Sequence, residues 1–248
     1  MSSKPVDPDS PAGRGGAASV LPEAEPGSGR GLLDRRRILG AAVAVIDEHG
    51  LRYLTMRRLG AHLGVEGMAL YHYIPGREAL LDGVVETVID ELYGDPDVHL
   101  SGPGWEEYLQ RLAHGVRRIA LAHPQVFPLI ATRPPAAPWV RPPLRSLRWM
   151  ESFLQTLKNC GFTDADAVGT YRAFSSFLLG HLLLEVSAQG ADIGPIEQDD
   201  PGHADPADLT DYPLLADLQP ELSQDHTATE FEEALEALLD RLENLIHR

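Results

Sequence analysis

Residues 54–82 carry the pattern of two short helices, a tight turn between them and the start of a longer helix. Thr55 is a preferred N-cap residue for the first helix, and Gly64 stands where a helix commonly ends in a left-handed backbone. The second helix is predicted from about Glu66 to Tyr73, and Pro75-Gly76 breaks it. Two short helices joined by a glycine-containing turn are typical of the helix-turn-helix, whose second helix enters the major groove of DNA.

The side chains around this unit suit a phosphate backbone. Arg57 and Arg58 lie in the first turn of the first helix, and Arg77 opens the helix that follows the Pro-Gly break. Arginine side chains and hydroxyl groups bind phosphate oxygens, whereas base edges are read by the few side chains that reach the groove floor. An ordinary helical hairpin with solvated arginines is the alternative. The turn glycine, the Pro-Gly break and the basic flank together favour the DNA-binding unit.

The distribution of charge also favours DNA binding. A net charge of −16 would disfavour a nucleic-acid partner if it were evenly spread. Residues 30–77 instead carry a local net charge of +4, against −2 for residues 1–29 and −18 for residues 78–248. Because the local field decides contact with DNA, the basic segment can bind DNA while the acidic remainder repels it from the wrong face.

With the helix before it, this stretch resembles the DNA-binding domain of the tetracycline repressor (TetR) family of bacterial transcription regulators. The resemblance rests on residues 54–59, 63–65, 70–73 and 77–82. It implies that Thr55 and Arg77 hold phosphate and that a further set faces the groove, namely Arg57, Gly67, Met68, Ala69, Tyr71 and Tyr73. Arg57 is the candidate for a guanine contact because it is the only long bidentate donor in that set.

Helical spacing of apolar residues continues along the chain and predicts an all-α fold. We expect a disordered tail at 1–30, a three-helix DNA-binding domain at 31–94 and a larger helical domain at 95–248 for ligand binding and dimerisation. Longer helices are predicted at about 33–49, 77–93, 104–123, 144–160, 163–189 and 227–247, with short helical segments at 125–131 and 214–218. Loops are predicted at 95–103, at 133–143 and over most of 190–226.

The C-terminal part resembles the ligand-binding domain of the tetracycline-repressor branch. The residues that carry this resemblance are Trp105, Arg117-Arg118, Thr132-Arg133-Pro134, Gly161-Phe162 and Leu179-Gly180. It implies a small-molecule effector buried among the helices and a homodimer formed through the helices at 164–189 and 227–247. Such a dimer would read a pseudo-palindromic operator. Ser176 and Gly180 would permit close approach of the two copies, and Leu238 and Leu242 would contribute apolar contacts.

One departure from the branch concerns its metal. The branch holds tetracycline through a magnesium ion bound by a histidine, and the corresponding residue here is Leu129, which cannot ligate a metal. Leu112 likewise stands where the branch has an asparagine that contacts the ligand. We therefore expect a hydrophobic effector bound without a metal or other cofactor. The candidate ligand contacts, each of which could equally be an ordinary core or surface residue, are His114, Thr132, Arg133, Phe153, Tyr171, Phe174 and His181.

Other function classes find little support in the sequence. It contains no HExxH motif, no Cys/His zinc spacing, no Gly-x-Ser-x-Gly elbow and no Walker loop. The single cysteine, Cys160, excludes an intramolecular disulfide framework, and no run reaches the roughly 18 apolar residues of a membrane span. We therefore expect a cytoplasmic protein that is not an enzyme and has no membrane partner.

These observations predict a DNA-binding transcriptional regulator, most simply a repressor that a small hydrophobic ligand releases from its operator. One alternative is a helical ligand-binding protein that acts through a protein partner without specific DNA readout. A catalytic helical bundle with an unrecognised site is another. The identity of the effector, the operator sequence and the regulated genes do not follow from the sequence.

Overall fold

The computed structural model describes residues 33–99, 104–133, 146–193 and 208–246, and all regular secondary structure in these ranges is helical. The all-α prediction is therefore confirmed for the described residues. From Asp34 onward they belong to one compact unit. The predicted tail at 1–30 and most of the loop predicted at 133–143 lie outside the described residues, and the boundary at 94/95 stays a prediction.

The first part of the unit consists of four helices. They are α1 (Arg35–His49), α2 (Met56–Leu63), α3 (Gly67–Leu70) and α4 (Arg77–Gly94), with a 3-10 turn at Leu51–Tyr53 between α1 and α2. The side chain of Asp34 caps α1 by accepting a hydrogen bond from the N–H of Arg37 over 2.7 Å. The buried stripe of α1 packs against both α2 and α4, and this packing fixes where α2 and α3 present their outer surfaces.

Helix α3, the predicted DNA-reading helix, is shorter than the sequence predicts. Helix α3 ends at Leu70 instead of Tyr73, and two single-turn hydrogen bonds follow it, from the N–H of Tyr71 to Met68 O and from the N–H of Tyr73 to Leu70 O. These bonds span three residues and tighten the backbone ahead of Pro75, which disfavours a helical conformation in the residue before it. The prediction of a helix to Tyr73 was therefore one turn too long.

The rest of the described chain forms seven helices. They are α5 (Pro96–His99), α6 (Trp105–Ala122), α7 (Phe127–Thr132), α8 (Leu147–Asn159), α9 (Asp164–Ala188), α10 (Pro213–Leu222) and α11 (Thr227–Ile246). Helix α9 packs against α6, α7, α8 and α11, which explains why its sequence is apolar over so wide an arc. Helix α4 packs against both α1 and α6 and so connects the two parts of the unit.

Two loop predictions were wrong. Residues 96–99 form the short helix α5, because Pro96 suits the first position of a helix and Val98 buries its side chain in the core. The short segment predicted at 214–218 is the longer helix α10, which likewise opens with a proline. All described residues of α10 are exposed. Because the helix buries no face in this chain, no buried apolar stripe marks its full length in the sequence.

Candidate DNA-binding surface and ligand cleft

Backbone geometry holds the turn between α2 and α3. Gly64 has a φ of 73°, in the left-handed region, and the N–H of Val65 donates to Gly60 O over 2.9 Å. At the other end of α2, the N–H of Arg58 donates to Thr55 Oγ1 over 3.2 Å. The predicted N-cap and turn glycine are confirmed. The Thr55 hydroxyl accepts the capping bond and can still donate its proton to a phosphate oxygen.

Helices α2 and α3 meet backbone to backbone. A Cβ atom on Gly60 would lie 2.8 Å from Gly67 N and 2.9 Å from Val65 O, and one on Gly67 would lie 3.0 Å from Met56 O. Backbone atoms cannot yield without moving a helix, so the close approach of α2 and α3 requires glycine at both positions. Gly67 thus has a packing role of its own, and its contact with DNA stays a prediction.

The arginines of this surface fall into two groups. Arg58 is held within the protein, because its guanidinium lies 4.1 Å from the ring centre of Tyr53 and donates to Tyr53 O over 3.2 Å. Arg57 is exposed, and neither Arg57 nor Arg77 has a side-chain hydrogen bond or ion pair with any described residue. Arg57 and Arg77 are therefore the cations that remain available to an external anion.

The outer side of α3 is unusually apolar for an exposed surface. Leu70 points into the core, and Met68, on the opposite side of the same turn, is 72% exposed. Tyr71 and Tyr73 are also exposed, while Ala69 is half-buried. Methyl groups and aromatic rings of this kind can pack against thymine methyls and the sugar-phosphate wall of a groove.

An apolar cleft opens between α4, α6, α7, α8 and α9. Its cavity volume is about 70 Å³. It is lined by Ile89, Leu92, Val116, Phe127, Ile130, Ser146, Trp149, Ser175, Leu178 and Leu179, and Ser146 and Ser175 supply the only polar side chains of that set. Small-molecule sites typically have such a mostly apolar lining with a few polar groups.

The predicted ligand contacts do not converge on this cleft. Phe153, Tyr171 and Phe174 form an aromatic cluster in which the Phe153 ring lies 5.2 Å from the ring of the cleft residue Trp149. Burial raises the pKa of Tyr171 to about 12, so its phenol stays neutral at physiological pH. The cluster therefore supports the cleft wall, and none of the three is among the described residues that line it.

The two predicted histidines lie elsewhere. The ring of His114 is 6.1 Å from the ring of Phe231 in α11, and the ring of His181 is 5.3 Å from it. His114 Nε2 is also 3.3 Å from the carboxylate of Glu232. These histidines help to dock α11 onto α6 and α9, and their roles as ligand contacts stay predictions.

Thr132 and Arg133 lie at the end of α7. Thr132 is exposed, and its hydroxyl donates to Pro128 O over 2.7 Å. Arg133 turns away from the cleft and pairs with Asp82 and Glu78 of α4. The cleft residues Ile89, Trp149 and Ser175 were not identified from the sequence. Trp149, a large aromatic residue of α8, was the signal in the sequence that could have indicated the cleft.

The residues present do not fit a magnesium site of the tetracycline-repressor kind. Leu129, which stands where that branch has a histidine, is a buried hydrocarbon side chain of α7. Within the described ranges, no group of three or more His, Cys, Asp or Glu side chains is arranged to hold a metal ion. None of the helices in those ranges is both long and apolar enough to cross a membrane.

A hydrogen-bonded triad that sequence reading missed joins α1, α4 and the end of α6. His123 Nδ1 lies 2.6 Å from Asp47 Oδ2, and His123 Nε2 lies 3.2 Å from Glu91 Oε2. Burial lowers the pKa of His123, but the hydrogen bond and charge of Asp47, together with Glu91, outweigh burial and raise it above its ordinary value. Burial also raises the pKa of Asp47. The folded protein therefore binds protons at His123 and Asp47 more tightly than the unfolded chain does.

The two halves of the chain match two domain families. Residues 38–84 match the family described as bacterial regulatory proteins, tetR family, and residues 100–246 match the tetracyclin repressor-like C-terminal domain. The second match alone covers more than half of the chain. The first match includes α2, α3, Arg57 and Arg77. The second includes most of the residues that line the cleft. The chain belongs to the TetR family of bacterial regulatory proteins.

Curated relatives are similar over part or most of their length. An HTH-type transcriptional regulator of Saccharopolyspora erythraea is 30% identical over 155 residues, which cover 62% of this chain and 61% of that protein. An HTH-type transcriptional repressor of Streptomyces coeruleorubidus is 28% identical, and the chain spans 55% of its length. The class D tetracycline repressor of Escherichia coli is 27% identical over 217 residues, 86% of this chain and 88% of that protein.

Solved structures share the fold. A possible TetR family transcriptional regulator from Streptomyces coelicolor is 30% identical with a TM-score of 0.67, over 86% of this chain and all of that chain. The Streptomyces coelicolor TetR family protein ActR, crystallised in complex with actinorhodin, is 27% identical with a TM-score of 0.62, over 85% of this chain and 95% of that chain. Both share this helical architecture.

Proposed function

We propose that this chain is a transcriptional repressor that binds operator DNA through α2 and α3 and leaves it when a small hydrophobic molecule fills the apolar cleft. The observation that carries the proposal is the course of α4. This helix begins at Arg77, beside the reading helix, and supplies Ile89 and Leu92 to the cleft wall. Arg77 and Ile89 are separated by about 18 Å of continuous helix, so movement at one end displaces the other.

DNA readout is assigned to the outer surface of α2 and α3. Arg57 would donate to a guanine and Arg77 to a phosphate, because both guanidinium groups are free of partners among the described residues. Met68 and the two exposed tyrosines, Tyr71 and Tyr73, would contact thymine methyls and the groove wall. The family membership of the chain and the names of its relatives, which include repressors, support this assignment.

A homodimer is the second part of the proposal, and the outer face of α9 supports it. Leu184 is 71% exposed, and the exposed positions one to four turns before it include the small or apolar Val168, Ser176 and Gly180 beside the charged Arg172. A Cβ atom on Gly180 would meet nothing within 4 Å in this chain. Glycine inside a helix costs about 0.5–1 kcal/mol relative to alanine, so close approach of a second copy gives a reason for it.

Helix α11 has less exposed apolar surface for such an interface than the sequence predicts. Leu242 is only 2% exposed and packs in the core of its own chain, whereas Leu238 is half-buried. The burial of Leu242 argues against a contact with the partner, because the apolar stripe of α11 covers α6 and α9 of its own chain. The proposed interface therefore rests on the exposed face of α9, with the outer edge of α11 beside it.

The effector is inferred to be an uncharged or weakly polar organic molecule. The cleft offers aliphatic side chains, the indole of Trp149 and two serine hydroxyls, and Leu129 gives it no metal ligand. ActR, a family member, is known as a complex with actinorhodin, which supports an organic effector for this chain. An effector that binds the DNA-free state of the dimer more tightly than the DNA-binding state would release the operator.

The first test is DNA binding by the full chain. A duplex library with a random centre is incubated with the protein, and the selected sites are compared with the DNA upstream of its own gene. We expect a pseudo-palindrome bound by a dimer, because paired reading helices face two half-sites. Selection of no common sequence would contradict the proposal.

A ligand-binding protein that acts through a protein partner is the second candidate. The exposed helix α10 favours it, because Leu214, Leu218 and Leu222 lie on the surface of this chain. The same selection separates the two candidates, since this alternative predicts no specific DNA. A protein that binds an operator acts where the DNA is, so the proposal also places it in the cytoplasm. The absence of a catalytic motif in the sequence leaves no enzyme activity to propose.

A further inference from the structure

Arg133 joins the end of α7 to the first turns of α4. Its Nε lies 2.5 Å from Asp82 Oδ1, and its Nη2 lies 2.9 Å from both the carboxylate and the backbone carbonyl of Glu78. The Arg133 side chain is 9% exposed. A largely buried guanidinium with three charged or carbonyl acceptors is held firmly, because the bonds to the two carboxylates are charge-assisted. The bond to Asp82 is the better shielded of the two ion pairs, since the Asp82 side chain is 30% exposed and that of Glu78 is 79% exposed.

The same two helices form facing walls of the apolar cleft. Helix α7 supplies Phe127 and Ile130, and α4 supplies Ile89 and Leu92. Arg133 therefore ties α7 to α4 at one end, while the cleft separates them further along. A molecule that widens the cleft pushes α7 and α4 apart and acts directly on the Arg133 contacts.

The near end of α4 belongs to the DNA-facing part of the chain. Glu78 and Asp82 are one and five residues beyond Arg77, and Leu80 and Leu81 between them are buried. The Arg133 contacts thus fix the part of α4 that adjoins the reading helix. Arg133 is not among the described residues that line the cleft, so a direct contact with the effector does not explain its position.

We propose that Arg133 is a positioning residue that holds α4 in the orientation required for operator binding, and that an effector in the cleft acts by loosening its contacts with Glu78 and Asp82. The inference rests on the proposed function, since it assigns a residue to the coupling between cleft and DNA. It replaces the ligand-contact role that the sequence predicted for Arg133.

The test is a charge exchange measured on operator DNA. Arg133→Glu and Asp82→Arg are compared with wild type and with the double variant, using the operator selected by the wild-type chain and fluorescence anisotropy. We expect each single variant to bind about tenfold more weakly, an ordinary size for such coupling, and the double variant to recover most of the loss. Lys158→Glu, which breaks an exposed ion pair with Asp164 between α8 and α9, is the charge-matched control and should bind like wild type.

A second readout separates positioning from general stability. Each protein is titrated with the operator and with the same duplex carrying one extra base pair at its centre. Loss of folded protein weakens binding to both duplexes equally, whereas a loosened α4 lowers the preference for the correct spacing. Arg133→Lys, which keeps a positive charge, should show an intermediate preference and guards against failure of Arg133→Glu to fold.

The outcomes are distinct. If wild type selects no DNA, the proposed function fails. If wild type binds its operator and the Arg133 variants show the same spacing preference as wild type, the positioning role is overturned while the proposed function stands. A double variant no better than the single variants would also overturn it, because the pairing with Asp82 would then not matter.

Discussion

At the residue scale, Arg57 and Arg58 are neighbours with opposite environments. Arg58 is engaged by Tyr53, whereas Arg57 is exposed and free of partners among the described residues. We expect Arg57→Ala to cost about 1–3 kcal/mol of operator binding and to relax specificity at one base pair. Binding to a panel of single-base operator variants measures this, with Arg58→Ala as the control that should lower thermal stability more than specificity. Equal weakening on every operator variant would reassign Arg57 to a phosphate.

His123 predicts a pH dependence of stability. Its pKa is raised in the folded state by Asp47 and Glu91 despite burial, so its contribution is fully present below the ordinary value of 6.5 and is lost as pH rises through the raised pKa. The raised pKa of Asp47 has the same sign, because the folded state again binds more protons than the unfolded state, but its effect begins at the lower ordinary value of 3.8. Melting temperatures from pH 6 to 9 should fall for wild type and stay flatter for His123→Asn. Parallel curves for the two proteins would exclude the triad as the source.

Residue roles divide into those that local sequence determines and those that it does not. The Thr55 cap and the Gly64 turn follow from residues within a few positions, and both were predictable. Arg133 pairs with a residue 51 positions away, so its partner could not be read from the chain. The same holds for the cleft, because the sequence marks apolar residues without showing which of them face a gap.

At the element scale, the contact between α2 and α3 depends on glycine. Gly60→Ala would bring a Cβ within 2.9 Å of three backbone atoms, so we expect a loss of about 1–3 kcal/mol in the free energy of unfolding. Gly40→Ala is the matched control, since a Cβ there meets nothing within 4 Å and should stabilise α1 by up to about 1 kcal/mol. Chemical denaturation measures both. Equal effects would show that α2 and α3 can separate without cost.

The outer face of α9 predicts the oligomeric state. Leu184→Asp places a charge at an exposed position, so the fold should survive while the dimer dissociates. Leu147→Asp, at an exposed leucine of α8, is the control and should leave the dimer intact. Light scattering coupled to gel filtration gives the mass of each protein. A Leu184→Asp variant that keeps the wild-type mass would place the interface elsewhere.

At the scale of the whole molecule, helical periodicity was enough for the architecture but not for its short or exposed parts. The long helices α1, α4, α6, α9 and α11 were predicted because each buries a continuous apolar stripe. Helix α5 was missed because proline, glycine and aspartate dominate its surroundings, and one buried side chain, Val98, gives no helical period to recognise. Helix α10 was underestimated because none of its described residues is buried within this chain.

The central claim is that a small molecule bound in the cleft weakens operator binding by displacing α4. A compound found by thermal shift provides the ligand, and Leu179→Glu, which puts a carboxylate in the cleft wall, provides the loss-of-response variant. Leu183→Glu, one turn further along α9 and outside the cleft lining, is its control.

The deciding measurement is the dissociation constant for the selected operator with and without that compound, in the presence of a chelator and again with magnesium. We predict that the compound weakens operator binding roughly 5- to 150-fold, the usual range for coupled sites, equally in both buffers and only when Leu179 is intact. A compound that stabilises the protein but leaves operator affinity unchanged would contradict the coupling. A response that requires magnesium would contradict the metal-free cleft.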